Sequence, residues 1–310
     1  MRLAGLRNAD SGMREIALAT DDAHFYPVNA VARAAGVELD PLLSDPLSHD
    51  WLCPRGLERL AELNRRFDPG QVEHLDLGHW RLTEPIPRPG KIIAVGRNYM
   101  DHVREGQEIW AKRGRKVEIP TFPSAFAKFA TSLCGPNDDI VIPMGMDDID
   151  YEVELAVVIG TPALDVTEED ALDHVAGYSI CNDMAARGIQ RREMEAQIGI
   201  TLSKNFPTFA PMGPWLTTAD EVGDPQTLRL TLEVDGEIRQ DASTSDMIFS
   251  VSRLVSYWSQ VGLETGDILL TGTPSGVALA RDNPQPYFLR SGQLVVARID
   301  KLGELRNRMR

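Results

Sequence analysis

Two glutamates at alternate positions, Glu152 and Glu154 in the run Ile149-Asp150-Tyr151-Glu152-Val153-Glu154-Leu155-Ala156-Val157-Val158-Ile159-Gly160, are the residues best placed by type and spacing to do chemistry. Side chains alternate faces along a strand, so both carboxylates share one face while Val153 and Leu155 share the other. On a solvated edge strand such a pair would need no explanation. Here the segment that follows, Leu155 to Ile159, is apolar on both faces, which places the strand inside a sheet. A buried carboxylate without compensation is costly, and two on one face repel, so the pattern asks for a cation between them. Asp183 offers a third carboxylate at the end of another strand-like run, Val175-Ala176-Gly177-Tyr178-Ser179-Ile180-Cys181-Asn182, where a ligand is easily aimed. Hard oxygen donors suit Mg2+, Mn2+ or Ca2+ rather than zinc.

The elements that hold these residues must be built from a chain of 310 residues, 43% of them hydrophobic, enough for one sizeable domain and a small one. Lys and Arg total 32 against 46 Asp and Glu, and the net charge of -14 repels nucleic acid and anionic membrane surfaces. Cys53, Cys134 and Cys181 are far apart with no Cys-x-x-Cys pair, which argues against a disulfide framework or a zinc site and fits a reducing cytoplasm. No apolar stretch approaches the length needed to span a bilayer.

To about Pro85 the chain reads as a small module: a hairpin of Ile16 to Thr20 and Phe25 to Val28, then helices over Val31 to Ala35 and Pro54 to Arg66. The connector Pro85-Ile86-Pro87-Arg88-Pro89-Gly90 marks a boundary, because successive prolines block both helix and ladder. Beyond it strands are expected at Lys91 to Val95, Ile140 to Ile142, Glu152 to Ile159, Ala176 to Cys181, Leu228 to Val234, Ile268 to Thr271 and Leu294 to Ile299. The main helices are expected at Ala185 to Glu195 and Ser250 to Gly262. Strands and helices do not alternate strictly, which disfavours a Rossmann or TIM architecture and favours a compact, mostly β, α+β domain.

Five segments carry a resemblance: Gly96-Arg97-Asn98-Tyr99-Met100-Asp101-His102-Val103-Arg104-Glu105, the Asp150 to Glu154 strand, Asn182-Asp183-Met184-Ala185-Ala186-Arg187-Gly188-Ile189-Gln190, Ser203-Lys204-Asn205-Phe206-Pro207-Thr208-Phe209 and Thr271-Gly272-Thr273-Pro274-Ser275-Gly276-Val277. In this order they are highly specific, and over roughly residues 85 to 310 the chain resembles the fumarylacetoacetate hydrolase family. Ser203 and Asn205 depart mildly from the pattern. Gly188 stands where many relatives have an acidic residue, and an insert rich in Lys and Arg, Trp110 to Ile119, follows the first segment.

The resemblance implies a β-roll catalytic domain at residues 86 to 310 that forms a homodimer, preceded by a small N-terminal α/β module at residues 1 to 85. It implies one divalent cation, Mg2+ or Mn2+, held by Glu152, Glu154 and Asp183. His102 and Glu105 match a water-activating dyad that lies on a lid helix in several relatives. Lys204 and Gln190 match positions that hold oxyanionic oxygens of the substrate, and Thr273 matches the threonine that holds its carboxylate. Arg187 is placed with Thr273 among the substrate-binding residues, and Lys128 supports the site. The implied activity is hydrolysis of a C–C bond in a 2,4-diketo acid of the acylpyruvate type. The same metal site would also serve an oxaloacetate decarboxylase or a 2-hydroxymuconate-type isomerase.

The residues themselves agree. A carboxylate three positions along a helix can orient the His102 imidazole and raise its basicity. Lys204 lies between Leu202 and Phe206, so its ammonium is expected in apolar surroundings, facing developing negative charge. The glycines of Thr271 to Gly276 let backbone N–H groups approach an anion. The loop lacks the Gly-Lys-Ser/Thr ending of a phosphate loop and the Gly-x-Ser-x-Gly of a nucleophile elbow, so Ser275 is a poor nucleophile.

Overall fold

Alternation along the carboxylate strand decides the architecture. In the computed structural model, which describes residues 1–112, 118–197 and 199–310, the strand Val153–Ile159 is buried throughout. Val153, Leu155, Val157 and Ile159 enter one core, whereas Ala156 and Val158 enter a second on the opposite face of the sheet. Glu152 and Glu154 have the parity of Ala156 and Val158, so both carboxylates leave on that second face. Each fully buried aliphatic side chain on these faces contributes about 1.5–3 kcal/mol, against which the two acids must be compensated.

This strand lies near the middle of a large mixed sheet. Its neighbours are Val175–Asn182 and Ile268–Leu270, both antiparallel to it and fully buried. The order continues from Ile268–Leu270 through Ile92–Val95 to Ala125–Lys128. In the other direction it runs from Val175–Asn182 through Ala210–Thr218 to Arg2–Asn8, Arg14–Ala19 and Phe25–Pro27. The N-terminal hairpin is thus present, and the strand Arg2–Asn8 beside it joins it to the sheet across the proline-rich connector through Arg2↔Thr217 and Leu3↔Leu216. A four-stranded antiparallel sheet, ordered Glu237–Ser243, Arg229–Val234, Leu294–Ile299, Gly303–Arg308, packs its apolar residues into the first core. The helices Val28–Ala34 and Pro54–Arg66 pack on the second. The result is the α+β, mostly β class, and no helix among the described residues is long and apolar enough to cross a membrane.

Several expected elements shift. Ile140 to Ile142 is no strand but a single bridge, Ile140↔Met309, because Pro143 cannot donate to a ladder. The helix expected from Ala185 begins at Arg187, since Ala185–Ala186 pairs with Ile149–Asp150. The helix from Ser250 ends as Val251–Trp258, capped by the Ser250 hydroxyl and followed by a 3-10 turn. The first segment of the resemblance forms a helix, Met100–Lys112, that buries Val103. Asn98 pins its start. Its amide donates to Phe249 O at 3.0 Å and Thr271 O at 2.8 Å, and its carbonyl accepts from Phe249 N at 2.8 Å. Residues 113–117 of the basic insert lie outside the described residues.

Candidate active site

Glu152, Glu154 and Asp183 converge as the spacing predicts, with carboxylate oxygens all within 4.8 Å of one another and all three residues buried. The backbone fixes them. Asp183 follows strand Val175–Asn182 directly and its N–H donates to Glu152 O at 2.8 Å, while Glu152 N–H donates to the Asn182 side chain at 2.8 Å. Glu154 Oε2 accepts from Gly272 N–H at 2.7 Å. The anion approached by the glycine loop is therefore one of the chain's own carboxylates.

Three cations compensate the acids unequally. Lys204 Nζ bridges Glu152 Oε2 at 2.5 Å and Asp183 Oδ2 at 2.8 Å, and also donates to Asp183 O at 2.9 Å. Its surroundings are thus carboxylates, with the Phe126 ring on another side at 5.3 Å, and not the apolar pocket expected. Lys204 ends a 3-10 turn, Leu202–Lys204, and among the described residues its ammonium donates only to acidic and carbonyl oxygens. Glu193 fastens that turn by accepting from the N–H groups of Thr201 and Leu202 and from the Ser203 hydroxyl. Lys128 Nζ lies 2.7 Å from Asp183 Oδ1 and donates to Lys204 O, so its supporting role is a direct one.

Arg187 departs from the expected substrate contact. Its Nε donates to Asp150 Oδ2 at 2.8 Å, Nη2 to Glu152 Oε1 at 2.5 Å and Nη1 to Gln190 Oε1 at 2.8 Å. The guanidinium braces the site, with Gln190 one helical turn away on the same face. Beside Gly188 the Asp148 carboxylate takes the space a side chain would occupy, with Oδ2 2.5 Å from where a Cβ would stand.

Titration follows these contacts. Burial alone would push Glu152 up, but Lys204 and Arg187 outweigh it and hold the carboxyl at about 2. Glu154 goes the other way, raised by burial and then by the charges of Asp183 and Glu152. Burial works against the Lys204 ammonium, yet Asp183 and Glu152 raise its pKa above the ordinary value. A buried carboxylate under this pressure, in a set of three hard oxygen donors, fits a divalent cation.

His102 and Glu105, expected as a dyad on a lid helix, lie on the helix Met100–Lys112 and contact the glycine loop. His102 and Glu105 face each other at 3.6 Å between Nδ1 and Oε2, within reach of an ion pair though too long for a hydrogen bond. Glu105 also accepts from Gly276 N–H at 3.1 and 3.2 Å. Gly276 has φ of +104°, and a Cβ there would sit 2.1 Å from Arg239 O, so only glycine permits this approach. One loop, Thr271 to Gly276, is thus tied to the acidic triad through Gly272 and to the lid through Gly276. Thr273 donates its hydroxyl to Val153 O at 3.1 Å and accepts from Gln240 at 2.9 Å.

Sequence reasoning missed two supports. Gln240 accepts from Val153 N–H at 3.0 Å and holds the Thr273 loop, and nothing in its hairpin sequence announces this. Asp150 is fully buried and receives Arg187 and the N–H groups of Ala278 and Leu279. A third acid at the head of an apolar strand was the available signal.

Comparison with known proteins agrees with this geometry. Residues 91–310 match the family model described as fumarylacetoacetate (FAA) hydrolase, C-terminal. A fumarylacetoacetate hydrolase domain-containing protein 2 homolog of Dictyostelium discoideum is 36% identical over 301 residues, covering 91% of this chain and 94% of that one. Among solved structures, maleylpyruvate hydrolase of Sphingobium sp. SYK-6, in complex with manganese(II) and pyruvate, superposes with a TM-score of 0.72 at 29% identity, over 100% of this chain and 98% of that one. The 2-hydroxyhepta-2,4-diene-1,7-dioate isomerase of Mycobacterium marinum gives a TM-score of 0.70 at 28% identity, over 100% and 98% of the two chains. With its acidic triad, lid dyad and glycine loop in the expected order and a family match over most of its length, the chain belongs to the fumarylacetoacetate hydrolase family.

Proposed function

We propose that this protein is a divalent-metal-dependent hydrolase that cleaves the C–C bond of an acylpyruvate-type 2,4-diketo acid, giving pyruvate and a carboxylic acid. The observation that supports the reading most is the Thr271 to Gly276 loop, whose Gly272 N–H holds Glu154 of the buried triad and whose Gly276 N–H holds Glu105 of the histidine–glutamate pair. Mn2+ or Mg2+, held by Glu152, Glu154 and Asp183, would supply positive charge to the substrate's carboxylate and 2-keto oxygens. The remaining work falls to side chains. His102 takes a proton from water as it attacks the 4-keto carbon, and Glu105, fixed by Gly276 N–H, stabilises the imidazolium that forms. Thr273 donates its one hydroxyl proton to Val153 O, so its part is to hold the glycine loop against the carboxylate strand and not to bind the substrate carboxylate through that hydroxyl. Arg187 occupies the Gln190 carbonyl oxygen, leaving the amide N–H2 to meet the tetrahedral oxyanion, and Lys204 adds its charge.

Hydrolysis is favoured over decarboxylation because water attack needs a base paired with a carboxylate, whereas loss of CO2 needs chiefly the cation's charge; an isomerase would use the same base for proton transfer, and substrate preference separates the two. An assay of acylpyruvates, oxaloacetate and dienoates with Mg2+ and Mn2+ tests this; faster turnover of oxaloacetate or a dienoate than of every acylpyruvate would contradict it. Gln190→Met should lower kcat by about 100-fold with KM little changed, because the donor is used in the transition state and not for ground-state binding. Steady-state kinetics showing a rise in KM alone would place Gln190 in substrate binding instead.

A further inference from the structure

We propose that Arg239 and Arg281 form an anion subsite beside the lid dyad that receives a second carboxylate, carried on the acyl part of the substrate. The inference rests on the hydrolase reading and narrows its substrate to a dianionic diketo acid.

Arg239 stands beside Gln240 on strand Glu237–Ser243, and its side chain is only 9% exposed. Its Nη2 reaches Glu237 at 3.0 Å, a carboxylate 64% exposed, and the Tyr151 hydroxyl lies against the guanidinium, while among the described residues Nε and Nη1 are buried with no acceptor at hydrogen-bond distance. Arg281 donates through Nη2 to Arg239 O at 3.3 Å and Gly276 O at 3.4 Å, and its Nε is likewise buried and unpartnered. Both guanidinium groups lie against the Tyr287 ring, at 4.6 and 5.1 Å from its centroid. Ring contacts of this kind do not satisfy the N–H groups of either guanidinium.

Three buried charged donors without acceptors, on two neighbouring cations that repel, are a costly arrangement for a fold to keep. An oxyanion between them removes both costs, and the planar fork of arginine matches a carboxylate bidentately. The position suits a substrate. Gly276 O accepts from Arg281 and from the Tyr151 hydroxyl at 3.1 Å, while the N–H of the same residue holds Glu105. Arg281 is therefore joined through Gly276 to Glu105 of the dyad, and Arg239 is joined to it through its own carbonyl. The helix Met100–Lys112, which carries the dyad, packs against the turn Ala278–Ala280 that leads into Arg281.

The test uses two acylpyruvates of matched acyl length, one ending in a methyl group and one in a carboxylate, assayed with the metal-loaded wild type, Arg281→Gln and Arg239→Gln. The wild type should prefer the carboxylate-ended substrate in kcat/KM by at least about 30-fold, and each variant should cut that ratio by about tenfold or more. An unchanged ratio in Arg281→Gln, with an unchanged circular dichroism spectrum, would overturn the subsite. Calorimetry separates this failure from failure of the hydrolase reading. The dicarboxylate that the carboxylate-ended substrate would release should bind the wild type and bind Arg281→Gln at least about tenfold more weakly. That result supports the subsite even where neither substrate is turned over, and no binding to the wild type overturns it.

Discussion

Glu154→Gln is expected to abolish turnover and, in metal-free protein, to raise thermal stability. The two effects have one cause. Glu154 is buried, its hydrogen-bond donor is Gly272 N–H at 2.7 Å, and Asp183 and Glu152 crowd it with like charge. Glutamine keeps the shape and the bond to Gly272 while removing the repulsion, so the metal-free fold should gain roughly 1–2 kcal/mol at neutral pH. The sign of the pH dependence follows from the raised pKa. Below the ordinary value of 4.5 the carboxyl is protonated whether folded or unfolded and the variant gains nothing, whereas above it the gain grows as pH rises. With cation present the order reverses, because the variant has lost a charged ligand; turnover should fall by at least about 1,000-fold. Melting curves with EDTA and with Mn2+ check both halves, and a variant destabilised under both conditions would show that Glu154 holds the fold and not a cation.

His102→Ala should reduce kcat on an acylpyruvate by about 100-fold to 10,000-fold with little change in substrate affinity. Water must lose a proton as it attacks, and no other imidazole stands beside Glu105. The triad, Lys204 and Thr273 lie on other elements and are untouched, so metal binding should survive. Decarboxylation of oxaloacetate depends on the cation's charge more than on a base and should suffer far less. Equal, small losses on both substrates would remove His102 as the water-activating base and with it the preference for a hydrolase.

The triad was legible because period-two alternation in a strand buried on both faces leaves two glutamates nowhere to go but inward together. The proline connector, the hairpin and the helix Pro54–Arg66 were equally plain, since their signals are local. Strand Ala210–Thr218 was not read. Pro211, Gly213 and Pro214 look like a loop, yet the strand survives in the sheet because its register with Val175–Asn182 shifts between Tyr178 and Ile180. The environment of Lys204 was misjudged for a related reason. Leu202 and Phe206, two positions away on either side, are apolar, but its ammonium is placed by Glu193 on a different helix and by the carboxylates at two strands. Gln240 and Asn98 were silent because a single amide buried in a strand or a turn leaves no periodic trace, and only the tertiary fold gives it partners. Arg187 was recognised as part of the site, but its three protein acceptors could not be inferred from spacing alone.

The most direct test of a cation-dependent C–C hydrolase is the turnover of two acylpyruvates, acetopyruvate and a carboxylate-ended one, by EDTA-stripped protein as Mn2+ is titrated in. From at least one of them pyruvate and the matching acid should be undetectable at the start and appear with a rate that saturates once about one equivalent per chain is bound. Release of pyruvate at full rate from the metal-free protein, or none after saturation with Mn2+ and Mg2+, would contradict the proposed chemistry.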